Sequence, residues 1–511
     1  EIEITDMTDE GLGVGKHNGF TWFIKDSIVG DTVLCGVTKL KKNYGFARVI
    51  RIIKPSADRR EAPCPIARQC GGCQIQQMSY EAQLRLKSAK VRNALIRIGG
   101  FDPEHIDEIL DPIVPSEKQF RYRNKAQFPI GRDKEGNICA GFYAGRTHSI
   151  IPCGDCLLGA EENRLILDTV MDWMRRYRIE PYDEKSLKGM VRHVLIRKSS
   201  LGGFMVCLVI NKDRLPKAEE LKTMLLSSLE ASGIRLESLS WSPNTEVTNV
   251  IMGKSFETIY GEGYIEDRIR IRENVPDIKE KDKKVCLPGK LPEERAYEAA
   301  DMSAEEEGSE IRFRISPLSF YQVNPGQMER LYAGALEFAE LSGRETVWDL
   351  YCGIGTISLF LAKKAGFVYG VEIVPQAIED ARANAALNHM NNTEFFVGKA
   401  EEVLPRWYAE HAKEKTLEDI PSKAAVSEGT MAATPYDSSK RTASGIHPDV
   451  IVVDPPRKGC DEACLETMVK MQPRRIVYVS CNPATLARDL KYLTEQGYEL
   501  KKARPYDMFP Q

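Results

Sequence analysis

Three short segments carry residue types whose order suggests chemistry. The first is Val347-Trp348-Asp349-Leu350-Tyr351-Cys352-Gly353-Ile354-Gly355-Thr356, in which glycines directly follow an apolar run. Glycines at such a point let the backbone approach a ligand at the N-terminus of the next helix; the bland reading is a tight structural turn. Glu372 closes the following apolar run, where a carboxylate can accept both hydroxyls of a ribose. The three-glycine dinucleotide pattern is absent, so a sulfonium methyl donor, which has no pyrophosphate to cradle, fits better than NAD. The second segment, Asp454-Pro455-Pro456-Arg457-Lys458-Gly459, sets a carboxylate ahead of a rigid turn, because proline fixes φ. Methyl transfer to an exocyclic amine would call for an aromatic residue after the prolines to stack on the base, and Arg457 stands there instead. A proline-rich turn opened by a helix-capping Asp is the plainer alternative.

The third segment is Tyr478-Val479-Ser480-Cys481-Asn482-Pro483, at the end of another apolar run. Most cysteines are inert core fillers, and Cys481 read alone would be one. A thiol between a strand end and a helix start is placed for activation, since the helix dipole lowers thiol pKa. A donor site alongside gives it a task. Carbon 5 of uracil is a poor nucleophile until a thiolate adds to carbon 6 and leaves an enolate-like carbon 5 that can take a methyl group.

Other cysteines group at Cys64, at Cys70-Gly71-Gly72-Cys73, and at Cys153 and Cys156. Two Cys-x-x-Cys pairs read as tetrahedral zinc, a reading that leaves Cys64 idle. Thirteen cysteines in 511 residues are too sparse for a disulfide framework, and their odd number favours free, metal-bound or catalytic thiols.

These segments need elements to position them. Short β-type runs over 19–24, 32–37 and 44–53, punctuated by Gly11, Gly13, Gly15 and Gly30, predict a small antiparallel barrel. Pro55 and Asp58-Arg59-Arg60-Glu61 read as a linker. Helical spacing of Leu84, Val91, Leu95 and Ile98 predicts a helix over 80–98, stopped by Gly99-Gly100. Strands and a helix over 217–230 mix between 121 and 264 as an α+β region. From Thr346 onward, strand, glycine turn, helix and strand alternate, as in a doubly wound α/β sheet with its functional groups at the carboxyl strand ends. Residues 274–310, with eleven acids and six bases, and 411–445, rich in Lys, Ser, Thr and Ala, read as exposed insertions.

With 42% apolar and 28% charged residues the chain has a soluble composition, and no run approaches the roughly 18 apolar residues of a membrane span. No export signal opens it, so the cytoplasm is the expected compartment, although a start at Glu1 hints at trimming. The net charge of −3 does not announce a polyanion partner, but eight basic residues between Lys39 and Arg60, including Lys41, Lys42 and Arg48, face only Asp58. Phe120-Arg121-Tyr122-Arg123-Asn124-Lys125 interleaves cations with aromatics and is a second candidate RNA surface.

DLYCGIGT, DPPRKG and SCNPATLARDL resemble the motifs of the RNA uracil-5-methyltransferase family, and Phe313 to Pro325 is similar to that family's lead-in to its catalytic domain. The resemblance runs from one end of the chain to the other. It implies a TRAM RNA-binding barrel of the OB type over 1–55, a central α+β domain over 56–312 and a Rossmann-like class I methyltransferase over 313–511. It also implies S-adenosylmethionine bound by Gln322, Tyr351, Gly353, Gly355, Thr356, Glu372 and Asp454, with Cys481 as nucleophile. By the same resemblance Cys64, Cys70, Cys73 and Cys156 hold a [4Fe-4S] cluster, with Cys153 as a possible substitute ligand. Lys39, Lys41, Lys42, Arg48, Arg121, Arg123 and Lys125 become RNA contacts. The barrel and cluster together resemble the 23S ribosomal RNA enzymes, acting as monomers without a membrane; a transfer RNA enzyme and a non-catalytic assembly factor are the alternatives. The family's terminal motif continues past Asp507-Met508-Phe509-Pro510-Gln511 to a Glu that removes the carbon 5 proton, which is expected beyond the last residue.

Overall fold

The computed structural model describes residues 1–145, 147–271, 310–415 and 447–511. The expected insertions therefore fall almost wholly outside the described residues. At their edges Glu310 opens a strand and His411 continues a helix.

Strands β1 (Ile2–Met7), β2 (Gly13–His17), β3 (Phe20–Lys25), β4 (Thr32–Leu40) and β5 (Tyr44–Lys54) close a barrel in the order β1-β2-β3-β5-β4. Alternation makes this possible: Ile2, Ile4, Ile24, Val33 and Ala47 point inward and are buried. Gly15 is obligatory, because a Cβ there would fall 2.4 Å from the Glu3 carbonyl. Helices α1 (Tyr80–Arg97) and α2 (Pro103–Ile109) follow, capped by Ser79 and Asp102.

The central sheet contains β6 (Lys125–Arg132), β7 (Ile138–Tyr143), β8 (Ile150–Pro152), β9 (Val191–Lys198), β10 (Gly203–Ile210), β11 (Arg235–Pro243) and β12 (Glu257–Tyr260), in the order β12-β11-β10-β9-β6-β7-β8. Helices α3 (Asn163–Tyr177) and α4 (Ala218–Glu230) cover one face through Val170, Trp173, Leu221 and Leu225. β10 is buried along its whole length, since its other face, with Met205 and Cys207, joins the core of the C-terminal domain. The ribbon of β13 (Ile265–Arg270) and β14 (Glu310–Ile315) also packs into that core, through Ile269, Ile311 and Phe313.

After α5 (Pro325–Ala339) come β15 (Thr346–Leu350), α6 (Thr356–Ala362), β16 (Phe367–Glu372), α7 (Pro375–Leu387), β17 (Thr393–Val397), α8 (Ala400–Lys415), β18 (Val450–Val453), α9 (Glu462–Met471), β19 (Arg475–Tyr478) and α10 (Pro483–Glu495). All five strands run parallel in the order β17-β16-β15-β18-β19. Apolar cores lie on both faces, which is why these strands read as continuous apolar runs rather than as alternation. The strand order reverses between β15 and β18, and in such sheets a crevice opens there at the carboxyl ends. α1 packs on α10 through Leu95 and Ala487, and Ile106 of α2 joins the same cluster.

Candidate active site and a cysteine-lined cavity

The glycine loop leaves β15 with Tyr351 at φ +66° and Gly353 at φ +55°, and Gly355 caps α6 at φ +82°. A Cβ on Gly353 would meet nothing within 4 Å, so the loop has open space on that side, whereas Gly355 packs against Ala381 and Phe395. Thr356 shares a 3.1 Å hydrogen bond with the buried Tyr332 hydroxyl. The Tyr351 phenol turns away from the loop toward Cys460 and Cys464, and burial together with those thiols pushes it up. What Tyr351 lends the loop is its backbone conformation.

Three carboxylates meet at the strand ends. Asp349 is buried; one oxygen accepts from the Ser358 hydroxyl at 2.5 Å and the other has no partner. Burial, with Asp454 and Glu372 nearby, pushes its carboxyl up to about 7. Asp454 keeps part of its surface open but sits deep enough that burial alone pushes it to about 7. Glu372 ends β16 and accepts from the Val374 amide at 3.0 Å. A cationic ligand would relieve this crowding, and the unpartnered Asp349 oxygen and the open side of Gly353 leave it both charge and room. These residues fit a sulfonium nucleoside. Gln322 lies on the segment before α5, its carbonyl accepting from the Asn124 carboxamide at 3.1 Å, and Phe320, two residues earlier, is 70% exposed.

Cys481 is the one exposed cysteine among the described residues. It stands between β19 and α10, which Asn482 caps by accepting from the Ala484 amide at 3.0 Å, with Pro483 in the first turn. The Asp454 loop lies against the same helix: the Arg457 carbonyl accepts from Asn482 Nδ2 at 3.3 Å and from the Thr485 hydroxyl at 3.2 Å. Cys481, Asp454 and the glycine loop thus belong to neighbouring strand ends of one sheet.

Cys64, Cys70, Cys73, Cys153 and Cys156 line one cavity of about 360 Å³, together with Arg123, Lys125, Gln127 and Val323. Burial first, then neighbouring thiols, pushes Cys73 up to about 11 and Cys153 up to about 12. Cys73 is influenced by Cys64, Cys70 and Cys156, and Cys153 by the same three thiols. No group of three or more His, Cys, Asp or Glu among the described residues is arranged to hold a metal ion.

The candidate RNA residues divide. Lys39, Lys41, Lys42 and Arg48 are exposed on β4, β5 and their connection. Next to them sequence reasoning missed a ring cluster: Phe23, Tyr44 and Phe46 lie with centroids 5.5 to 5.7 Å apart. Its signal was the period-two run Tyr44, Phe46, Arg48. Arg121 is committed elsewhere: it donates to Asp155 at 2.5 Å and to the Cys156 and Gly159 carbonyls at 2.9 and 3.1 Å. Arg123 and Lys125 line the cysteine cavity, and burial lowers Lys125 to about 8.

Comparisons with known proteins agree with this geometry. The family tRNA (Uracil-5-)-methyltransferase matches residues 444–511, a methyltransferase domain family matches 341–426, and the TRAM domain matches 1–50. RNA methyltransferases described as uncharacterized, from Halalkalibacterium halodurans and Listeria innocua, are 42% and 43% identical over the whole chain and 94% of their own length. The crystal structure of Pyrococcus abyssi tRNA (uracil-54, C5)-methyltransferase with S-adenosyl-L-homocysteine superposes with a TM-score of 0.66 at 23% identity, covering 100% of this chain and 97% of that one, and shares the fold. No helix among the described residues is long and apolar enough to cross a membrane. The chain belongs to the S-adenosylmethionine-dependent RNA uracil-5-methyltransferase family, with an N-terminal TRAM domain ahead of its methyltransferase domain.

Proposed function

We propose that the chain methylates carbon 5 of a uridine in 23S ribosomal RNA and that Cys481 is the covalent nucleophile. The observation that carries this reading is the exposed thiol of Cys481 at a strand end beside the carboxylate-lined crevice. Bound S-adenosylmethionine supplies an electrophilic methyl group. Gln322, Tyr351, Gly353, Gly355, Thr356, Glu372 and Asp454 are the residues proposed to hold it, the carboxylates by charge and the glycine loop by close backbone approach. A uridine flipped out of the RNA meets the Cys481 thiolate, which bonds to carbon 6 and gives carbon 5 the electron density to take the methyl group. The carbon 5 proton then leaves to a base, and the carbon 6 to sulfur bond breaks to return the thiolate.

The cysteine cavity supports a second cofactor. Cysteine thiolates are the ligands a [4Fe-4S] cluster would take, and five thiols line this one cavity. Cys64, Cys70, Cys73 and Cys156 would hold it, with Arg123 and Lys125 beside its negative charge. Barrel and cluster together favour ribosomal RNA over transfer RNA.

The test uses transcripts of 23S ribosomal RNA fragments and of transfer RNA made with 5-fluorouridine, whose carbon 5 cannot lose a proton. With S-adenosylmethionine present, a denaturation-resistant protein–RNA band should form on a ribosomal fragment and vanish in Cys481→Ala. A band with transfer RNA alone would move the substrate to that class, and no band with either would remove the covalent mechanism.

A further inference from the structure

Asp489 on α10 is fully buried, yet it is a carboxylate. Its Oδ2 accepts from the Cys460 amide at 2.9 Å and from the Tyr478 hydroxyl at 2.6 Å, and its Oδ1 accepts from Arg488 Nε at 2.7 Å. Arg488 in turn donates through Nη2 to the carbonyls of Lys458 at 3.0 Å and Cys460 at 3.2 Å. Asn482 and Thr485 hold the Arg457 carbonyl from the same helix. Residues 482, 485, 488 and 489 fall on successive turns of one face of α10. Every one of these contacts to the loop is made to backbone, so the grip sets the path of the main chain and leaves the Arg457 and Lys458 side chains exposed. The loop has no slack: Gly459 is at φ +79°, and a Cβ there would lie 2.5 Å from Asp489 Oδ2 and 2.6 Å from Arg488 Nη2.

The geometry points to Asp489 as a positioning residue for methyl transfer: with Arg488 it fixes the strand-end loop that begins at Asp454 against the helix that begins beside Cys481. The donor side and the nucleophile side of the crevice then keep a set separation. This rests on the reading of Cys481 as nucleophile. A buried acid suits the task because all three groups it gathers, an amide, a phenol and a guanidinium, are donors. A neutral carboxamide must turn its NH2 toward one of these donors and lose a contact.

The experiment compares Asp489→Asn, the milder Thr485→Val and the wild-type protein in four measurements: donor affinity, alkylation of Cys481 by iodoacetamide, hydrogen exchange at the Cys460 amide, and the rate of adduct formation on 5-fluorouridine RNA. Asp489→Asn should slow the adduct by about 100-fold, the scale of an ångström's misplacement of reacting groups. Thr485→Val should slow it by about fivefold, the scale of one hydrogen bond. Donor affinity and Cys481 alkylation should hold within about twofold, since neither uses the relation between the two sides. Adduct rates equal to wild type in both variants, or donor affinity lost in step with the rate, would overturn the proposal. If wild-type protein itself forms no adduct, the nucleophile reading fails separately. Exchange at Cys460 then decides the grip: faster exchange in Asp489→Asn supports it and unchanged exchange overturns it.

Discussion

The Asn124 carboxamide, at the entrance to the central sheet, donates to the Gln322 carbonyl at 3.1 Å while its amide donates to the Val323 carbonyl at 2.9 Å. Three residues earlier, the Ser319 carbonyl accepts from the buried Arg197 guanidinium of the same sheet at 3.1 Å, and the Ser319 hydroxyl donates to Asp380 of α7 at 2.9 Å. The segment proposed to offer Gln322 to the donor is therefore held from two domains at once. Asn124→Ala leaves a partly buried carbonyl unpaired, a loss of about 1–3 kcal/mol. S-adenosylmethionine should bind it about tenfold more weakly by calorimetry, and unchanged affinity would mean that the central domain does not set the position of Gln322.

Asp349 and Asp454 make donor binding depend on pH. Each carboxyl is raised from near 4 to about 7, so the folded protein holds protons that the unfolded chain has already lost between those values. Stability attributable to this pair is present at low pH and falls as pH rises toward 7, where both become charged beside each other. A sulfonium favours the charged forms, so binding should release protons and strengthen from pH 6 to 8. S-adenosylhomocysteine, without the positive sulfur, should respond less. Calorimetry in buffers of different ionisation enthalpy measures the protons released; Asp454→Asn should remove much of the slope, and an equal slope for both ligands would sink the electrostatic account.

Much of this crevice was legible before any coordinates, for a physical reason. In a parallel sheet buried on both faces the strands are apolar runs, and whatever polar residue ends the run stands at the ligand edge; Glu372, Asp454 and Cys481 were read that way. What could not be read depends on partners far along the chain. Arg121 sits in a segment that looks basic and aromatic, but Asp155 and the Cys156 loop, more than thirty residues on, turn it inward. Asp489 looks like one more charged position on a helix with Arg488 and Lys491 until the loop from β18 folds over it. Tyr351 matched the cofactor motif, yet its ring follows the thiols of the α9 start on the other side of the loop.

The five thiols of the cavity separate by substitution. Anaerobically purified protein should be brown with broad visible absorption and contain iron and acid-labile sulfide. Cys73→Ser should lose both, whereas Cys153→Ser should keep them, as the assignment of Cys64, Cys70, Cys73 and Cys156 as the four ligands requires. Stoichiometric zinc without iron would replace the cluster with the zinc reading, and iron lost equally from both variants would make Cys153 a ligand.

The barrel offers two kinds of proposed RNA contact that salt can tell apart. Lys41 and Lys42 are exposed on the β4–β5 connection, where their ammonium groups are free to meet phosphates, and each phosphate neutralised releases counterions. Replacing both with Ala should lower the slope of log affinity against log salt by about 1.4 on single-stranded RNA. Tyr44 is different: it is 38% exposed and braced edge-on by Phe23 and Phe46, a surface suited to stacking on a base. Tyr44→Ala should weaken binding by about 1–3 kcal/mol at every salt concentration and leave the slope alone. Removing residues 1–55 should combine both effects while S-adenosylmethionine still binds, since no residue proposed to hold the donor lies in the barrel. Equilibrium binding over a range of potassium chloride concentrations measures all three. If the lysine pair changes neither slope nor affinity, the basic stripe is a solvated face and the RNA path across the barrel must lie elsewhere.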